Sequence, residues 1–586
     1  MEKQKNRSQI PNEYKWNLQN LIPTDDQWHT NINKLDKQID QISRFKGRLS
    51  DSLLECLTEQ VSIGEEFMKL YVYANMKLHE DANNTTYQGM VDTASWLHVK
   101  LMAAESFTEP EILALDEENL KAPELELFRH YLDNLLRQKA HILSAEAEEI
   151  LAQAHELGEA PDNIFSMLDN ADIKFGTVED EDGNEMELTH SRYGYLLKSN
   201  NREVRKRTWH TFYDSYWDLK NTLAASYSAS VKKDVFFSNI RKYPSSLDAA
   251  LFSNNIPTNV YTGLIETVSE YLPQLQRHMR LRKKAMKLPE LRVYDLYTPM
   301  VDEVNDKVEY KDAVEIVLKS LAPLGDEYVS AAREGLTGGN WVDVYENAGK
   351  QNGAYSWGAY GGHPYILLNY ENKMDDMFTL AHELGHAMHS YYSWGNQPYI
   401  YSDYSIFLAE VASTVNEALL MEHLLNKTSD RAMRAYLINT WLDQFRTTVF
   451  RQTLFAEFEL VSHRMAEENA PLTVDSLNRV YRSLNEKYYG SEVVLDDKLD
   501  LEWARIPHFY RAFYVYQYAT GYSCAMAFAE RILAGQSSEY LEFLKSGSSD
   551  YSINILKKAG VDMSKPESIE VALKKFGELL DEYEKL

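Results

Sequence analysis

Cysteine is almost missing from this chain: Cys56 and Cys524 are the only two among 586 residues. Two cysteines supply neither a disulfide framework nor a cysteine-rich zinc site, and they suit a reducing compartment. Positive charge is also scarce, with 61 Lys+Arg against 89 Asp+Glu and a formal net charge of −28. That balance disfavours nucleic acid and anionic membranes as partners, because both call for clustered Lys and Arg. No stretch reaches the ~18 consecutive apolar residues of a membrane span. Met1 to Asn20 is polar and lacks the apolar segment of a signal peptide, so the expected location is cytoplasmic. What is present is a 44% apolar fraction, too high for a disordered chain, and 39 tyrosines.

Apolar residues recur at three- and four-residue spacing over Leu53–His79, Ser144–Leu157, Val260–Met286, Tyr436–Glu468 and Ile569–Leu586. This periodicity predicts a mainly α fold. Two segments break it. Residues 172–189 alternate polar and apolar side chains around Glu181-Asp182-Gly183-Asn184, which predicts a β-hairpin. Residues 341–370 are rich in Gly, Tyr and Trp and end in Pro364-Tyr365-Ile366-Leu367-Leu368-Asn369-Tyr370, a short strand. Such a segment is either packing or the wall of a binding site.

It runs directly into His382-Glu383-Leu384-Gly385-His386. Residues four apart share a helix face, so both imidazoles can reach one metal ion, with Glu383 beside them to take a proton from water. A helix with two buried histidines and a surface glutamate is the plain structural alternative. The motif sits on a well-delimited helix, however: Lys373–Tyr392 contains no Gly or Pro except Gly385, and the stop signal Gly395-Asn396-Gln397-Pro398 follows.

A catalytic zinc needs a third protein ligand and an open position. The HExxHxxGxxH pattern fails, since positions 389 and 392 are His389 and Tyr392. The other source is a glutamate on the next helix, Ser405–Leu425, which carries Glu410, Glu417 and Glu422. Glu410 lies within an apolar run, where a charge is costly unless paired or metal-bound, so it is the favoured ligand. Glu417, two turns on, is placed to hydrogen-bond a ligand, and reads equally well as a surface glutamate. His389 lies about a turn beyond His386 at ~1.5 Å per residue, too far to share the metal, and is structural or a support behind the ligands.

The motif, with Glu410 in Glu-Val-Ala-Ser-Thr-Val-Asn-Glu 28 residues after the first histidine, resembles the oligoendopeptidase F group of the thimet-oligopeptidase family. The resemblance extends through Ile10–Leu18, Asn255-Ile256-Pro257, Tyr294–Tyr297, Gly353–Gly358, His508–Gly521 and Ala559–Met563. It implies a zinc metallopeptidase that cleaves short peptides internally, with a deep substrate channel in a helical fold and a small β-sheet beside the motif helix. A helical domain over residues 1–200 would cover the channel, and residues 201–586 would form the catalytic domain. One Zn2+ would be held by His382, His386 and Glu410, with Glu383 as general base. His508 and the tyrosines of the same block, Tyr518, then Tyr514, then Tyr510, would hold substrate and transition state. A helix over 506–522 would align Tyr510, Tyr514, Tyr518 and Tyr522 on one face, which also fits a plain aromatic core stripe.

The Gly/Tyr segment would then bind substrate. A strand at Tyr365–Asn369 would offer an edge to an extended peptide, with Gly353, Tyr355, Gly358, Tyr360 and Tyr365 along it. Two rivals stand beside this reading: a metallocarboxypeptidase of related helical build, and a zinc-containing peptide-binding protein without catalysis.

Overall fold

The structure, a computed structural model, describes residues 4–301, 304 and 307–586. Helix makes up 71% of it and the sheets are small. Helices form at Leu49–Glu80, Ala145–Gly158 and Pro566–Tyr583, within a few residues of the apolar periodicity. Two long periodic stretches are interrupted. Residues 260–286 divide into Thr258–Glu270 and Leu272–Ala285, because Pro273 has no N–H to continue the ladder. Residues 436–468 contain a π turn, Arg446–Phe450, between Arg431–Phe445 and Arg451–Glu467. The hairpin is present, with Thr177–Glu179 antiparallel to Glu185–Glu187. Its turn is held by Asp180 Oδ1, which accepts from the N–H groups of Asp182 and Asn184, each at 2.9 Å.

The chain forms two compact units, each assembled from three separate segments. The first gathers Met1–Ala140, Asn305–His423 and Phe528–Gly560. Its N-terminal helices, α1 (Asp25–Ile42), α2 (Leu49–Glu80) and α3 (Thr85–Glu105), bury Trp28, Leu35, Phe67, Leu70 and Leu97 in one core. Trp28 is wholly buried and its indole donates to the Leu70 carbonyl at 2.8 Å, so its polar end is satisfied.

A three-stranded sheet packs on this core. Its strands are β1 (Val342–Asp343), β2 (Tyr355–Trp357) and β3 (Tyr365–Leu367), in the order β1-β3-β2. β3 runs parallel to β1, with Val342 opposite Ile366, and antiparallel to β2, with Tyr355 opposite Leu367. The expectation of a free edge on the Tyr365–Asn369 strand is therefore corrected. β3 ends at Leu367, is paired on both sides and is fully buried, as its Tyr-Ile-Leu sequence favours; β1 and β2 are the outer strands. The Lys350 ammonium pins the sheet from beneath. It donates to the carbonyls of Asp343, Tyr345 and Leu368 and pairs with the Asp343 carboxylate at 2.8 Å. Burial lowers its pKa, and Asp343 opposes that shift.

The second unit comprises His141–Val304, Leu424–Ala527 and Val561–Leu586. It holds the hairpin and a two-strand parallel pair, Leu291–Arg292 with Val493–Val494. A buried ionic network centres on Glu502, which accepts from Arg451, Arg505 and Tyr481. Among the described residues, no helix of either unit is long and apolar enough to cross a membrane.

Candidate active site

The motif helix is α4 (Met374–Asn396). Its start is fixed by Asp376, whose Oδ2 accepts from the N–H groups of Glu371 and Lys373, both at 2.9 Å. A carboxylate there suits the helix dipole. The next helix, α5 (Ile406–Lys427), crosses α4 at very short range. A Cβ placed on Gly385 would lie 2.5 Å from the Ala412 carbonyl oxygen and 2.5 Å from Ser413 Cα. The glycine of His-Glu-Leu-Gly-His is thus the contact point of the two helices. Asn416 locks them: its Nδ2 donates to the Ala381 carbonyl at 3.2 Å, and its Oδ1 accepts from the Tyr328 hydroxyl.

This crossing brings three donor atoms together. His382 Nε2 and His386 Nε2 are 3.2 Å apart, and Glu410 Oε2 lies 3.3 Å from the first and 3.6 Å from the second. Tetrahedral zinc with bonds of about 2.0–2.1 Å separates its ligand atoms by about 3.3–3.4 Å. The triangle fits that ion, and it is the metal-type cluster found among the described residues. On the far side of His382, Glu417 Oε1 lies 2.5 Å from Nδ1. That contact fixes the proton on Nδ1 and turns the Nε2 lone pair toward the other donors.

The electrostatics agree. Burial lowers the His382 pKa, but hydrogen bonds to Glu410 and Glu417 outweigh it and push it up to about 10. The Glu410 carboxyl is held well below its usual range, chiefly by hydrogen bonds to His382 and His386. Such a donor set stabilises positive charge at its centre, as a proton or as a metal cation. Glu383 is different. It is 7% exposed, its Oε2 is buried without a hydrogen-bond partner, and burial raises its pKa. A carboxylate held this way is a ready proton acceptor.

His389 sits in the core behind these groups. Its ring stacks on Tyr404 at 3.7 Å and 6°, and neither nitrogen is hydrogen-bonded. Burial pushes its pKa down to about 3.

In the second unit the 506–522 block departs from expectation. Pro507–Tyr510 is a 3-10 turn, Phe513 has φ of +55°, and the helix begins only at Tyr516. A positive φ at a bulky residue breaks any helix, so the four-residue tyrosine stripe does not share one face. Glu459, fully buried, accepts from the Phe513 N–H at 3.0 Å and holds the turn. The structure gathers His508, Tyr514 and Tyr518: the Tyr518 hydroxyl is 3.2 Å from His508 Nε2, and the Tyr514 ring lies face-on to His508 at 6.0 Å. Tyr510 does not join them. It is buried and stacked on Phe165 at 4.6 Å.

The loop candidates are dispersed. Tyr355 meets His79 Nδ1 at 2.6 Å, Tyr360 donates to the Gln397 carbonyl, and buried Tyr365 donates to the Asn17 carbonyl. Gly358 lies under Trp394, where a Cβ would come within 2.8 Å, and Gly353 has φ of +84°. Lys350, in a Gly349-Lys350-Gln351 that lacks the rest of a P-loop, and Asn416 are not candidate site residues from sequence. Asn416 had a signal, an amide inside an apolar helical run that must find partners; a lone Lys in a Gly-rich loop had none.

A helical scaffold that aims two imidazoles and one carboxylate at one point, with a second carboxylate behind His382 and a third, Glu383, whose Oε2 has no hydrogen-bond partner, fits hydrolytic chemistry. Comparison with known proteins agrees. The sequence model of Peptidase family M3 matches residues 195–575, and that of Oligopeptidase F matches residues 111–175. Oligopeptidase PepF of Bacillus subtilis (strain 168) is 48% identical over 99% of this chain and 88% of its own. A crystal structure from Chlamydophila abortus superposes with a TM-score of 0.93 at 36% identity, covering 99% of both chains. Oligoendopeptidase-F from Enterococcus faecium gives 0.73 at 37% identity, covering 96% of this chain and 99% of its own. The chain belongs to peptidase family M3 and is a peptidase.

Proposed function

We propose that this peptidase is a zinc-dependent endopeptidase that cuts internal bonds of short oligopeptides in the cytoplasm. The observation that carries the reading is the donor triangle of His382, His386 and Glu410 beside the unpartnered Glu383 Oε2. The relatives' names, oligopeptidase and oligoendopeptidase, support the substrate class. The buried free thiols of Cys56 and Cys524 suit a reducing compartment.

His382 Nε2, His386 Nε2 and Glu410 Oε2 would hold the zinc. Bound there, it supplies Lewis acidity toward the scissile carbonyl and lowers the pKa of water toward ~7. Glu383 takes the proton of the attacking water on Oε2 and delivers it to the leaving amine. Glu417 keeps His382 in the tautomer that binds metal. His508, Tyr518 and Tyr514 are proposed donors to the substrate carbonyl oxygen as it gains charge; Tyr510, buried on Phe165, is the weakest of that group. Of the two outer strands, β2 is proposed to offer its edge to an extended peptide. The helices of the first 200 residues are proposed to cover the substrate.

The test is cleavage of an internally quenched peptide with the products read by mass spectrometry. Internal fragments whose formation stops with a chelator and returns with zinc support the proposal. A ladder of single C-terminal residues would assign the chain to carboxypeptidase chemistry, and chelator-resistant cleavage would overturn zinc dependence.

A further inference from the structure

Within the first unit, α2, α3, the segment after β2 and the C-terminal half of α4 enclose a cavity of about 640 Å³. Two carboxyl groups open into it, Glu105 from the end of α3 and Asp403 from the turn before α5. Among the described residues neither has an ion-pair partner or a side-chain hydrogen bond; Asp403 Oδ1 accepts from the neighbouring Tyr404 N–H, at 3.0 Å. The cavity wall contains no Lys or Arg. Burial pushes the Glu105 pKa up to about 7 and raises that of Asp403. Glu105 is half-buried and Asp403 exposed, so both carboxyl groups stay within reach of a ligand.

Aromatic rings share the rest of the wall with aliphatic and small polar side chains. Phe67 and His98 stack at 5.3 Å and 19°, and Tyr131, Trp357 and Trp394 also line it. Unpaired carboxylates in a desolvated setting are costly until a cation joins them. Ring faces add to the attraction for a cation. Acidic groups without partners, aromatic faces and a lining with His98 but no Lys or Arg together select an alkylammonium or guanidinium group.

The cavity adjoins the metal-type site along α4. Ser390, one turn past His386, lines it, and Ser390 Oγ is 3.1 Å from the Tyr404 hydroxyl. One turn is a rise of about 6 Å, and an extended peptide advances about 3.3 Å per residue. Trp357 of the outer strand β2 also faces in. We propose that this cavity receives the side chain of a Lys or Arg two or three residues from the cleaved bond, with Glu105 and Asp403 as its counter-charges. This specificity assignment rests on the peptidase reading above.

The experiment uses pairs of internally quenched peptides identical except for arginine or citrulline, its neutral isostere, at each position within three residues of the cut. With the zinc-loaded protein, one position is expected to show a kcat/KM at least about tenfold higher for arginine, the scale of one charge-assisted hydrogen bond. In Glu105→Gln/Asp403→Asn the ratio at that position falls to within about twofold of one. Glu105→Lys should reverse the choice in a glutamate/glutamine pair. No discriminating position, or a ratio that survives the double substitution, overturns the pocket. Should no peptide be cleaved at all, the endopeptidase proposal fails instead. Fluorescence anisotropy on Glu383→Gln then decides the pocket: tighter binding of the arginine peptide, lost on adding the double substitution, upholds it, and equal binding of both peptides overturns it.

Discussion

The five side chains of the candidate site, His382, His386, Glu410, Glu383 and Glu417, are proposed to have separable duties, which substitution distinguishes. Glu417 Oε1 lies 2.5 Å from His382 Nδ1, on the side away from the other donors, so it acts through that imidazole. Glu417→Gln is expected to weaken zinc binding by about 10–100-fold, the usual effect of removing an outer carboxylate, as read by competition with a chelating dye. Zinc affinity within twofold of the parent would remove Glu417 from the account. Glu410 lies directly in the donor triangle. Glu410→Ala should abolish stoichiometric zinc binding, and full occupancy in that variant would exclude it as a ligand. At this scale much was legible in advance. His382, His386, Glu383 and Glu410 follow from spacing and from a charge inside an apolar run, while the contact from Glu417 needed the helix crossing to be seen.

Between elements, the decisive contact is that of α4 with α5. The Gly385 position has backbone atoms where a Cβ would stand, and backbone cannot swing aside as a flexible side chain can. Gly385→Ala should therefore push the helices apart, costing about 1–3 kcal/mol as overpacking does and lowering zinc affinity. Chemical denaturation of the metal-free protein checks the first effect and dye competition the second. Unchanged values would mean that the crossing is not tight. The sequence pattern foresaw both helices and, through a shared metal, their meeting, but not Gly385 as the contact point, because a glycine inside a helix signals only a weakened helix until the neighbour is known. The 506–522 block was misread for a related reason. Its tyrosines recur at helical spacing, yet Glu459, 54 residues before Phe513, captures the Phe513 N–H and holds a left-handed turn there. A long-range hydrogen bond overrides local periodicity, and no window of the sequence contains it. The strand edge failed similarly: Tyr365–Leu367 reads as a strand, but which neighbours pair with it depends on residues 342–343 and 355–357.

Across the whole molecule, each unit carries a fully buried histidine with unpartnered ring nitrogens: His389 in the first and His278 in the second. Burial, with His386 near one and Arg282 near the other, pushes both pKa values down to about 3. In the unfolded chain each titrates near ~6.5. Below that pH the unfolded chain binds protons that the folded chain refuses. Stability is therefore complete above about pH 6.5 and declines toward pH 3. The decline is about 1.4 kcal/mol per unit for each histidine, or about 2 kcal/mol each at pH 5. His278→Phe, an apolar replacement packing on Phe576, should recover about 2 kcal/mol of the difference between pH 7 and pH 5 in denaturant titrations. A pH dependence identical to the parent's would rule out His278 as its source.

The central claim is that Glu383 moves the proton while other side chains hold the metal. It is tested most directly by measuring zinc content and peptide turnover together on purified Glu383→Gln. The account predicts one zinc per chain, as in the parent, with turnover lower by about 10²–10⁴-fold. Near-normal turnover by the zinc-loaded variant, or loss of its zinc, would contradict it.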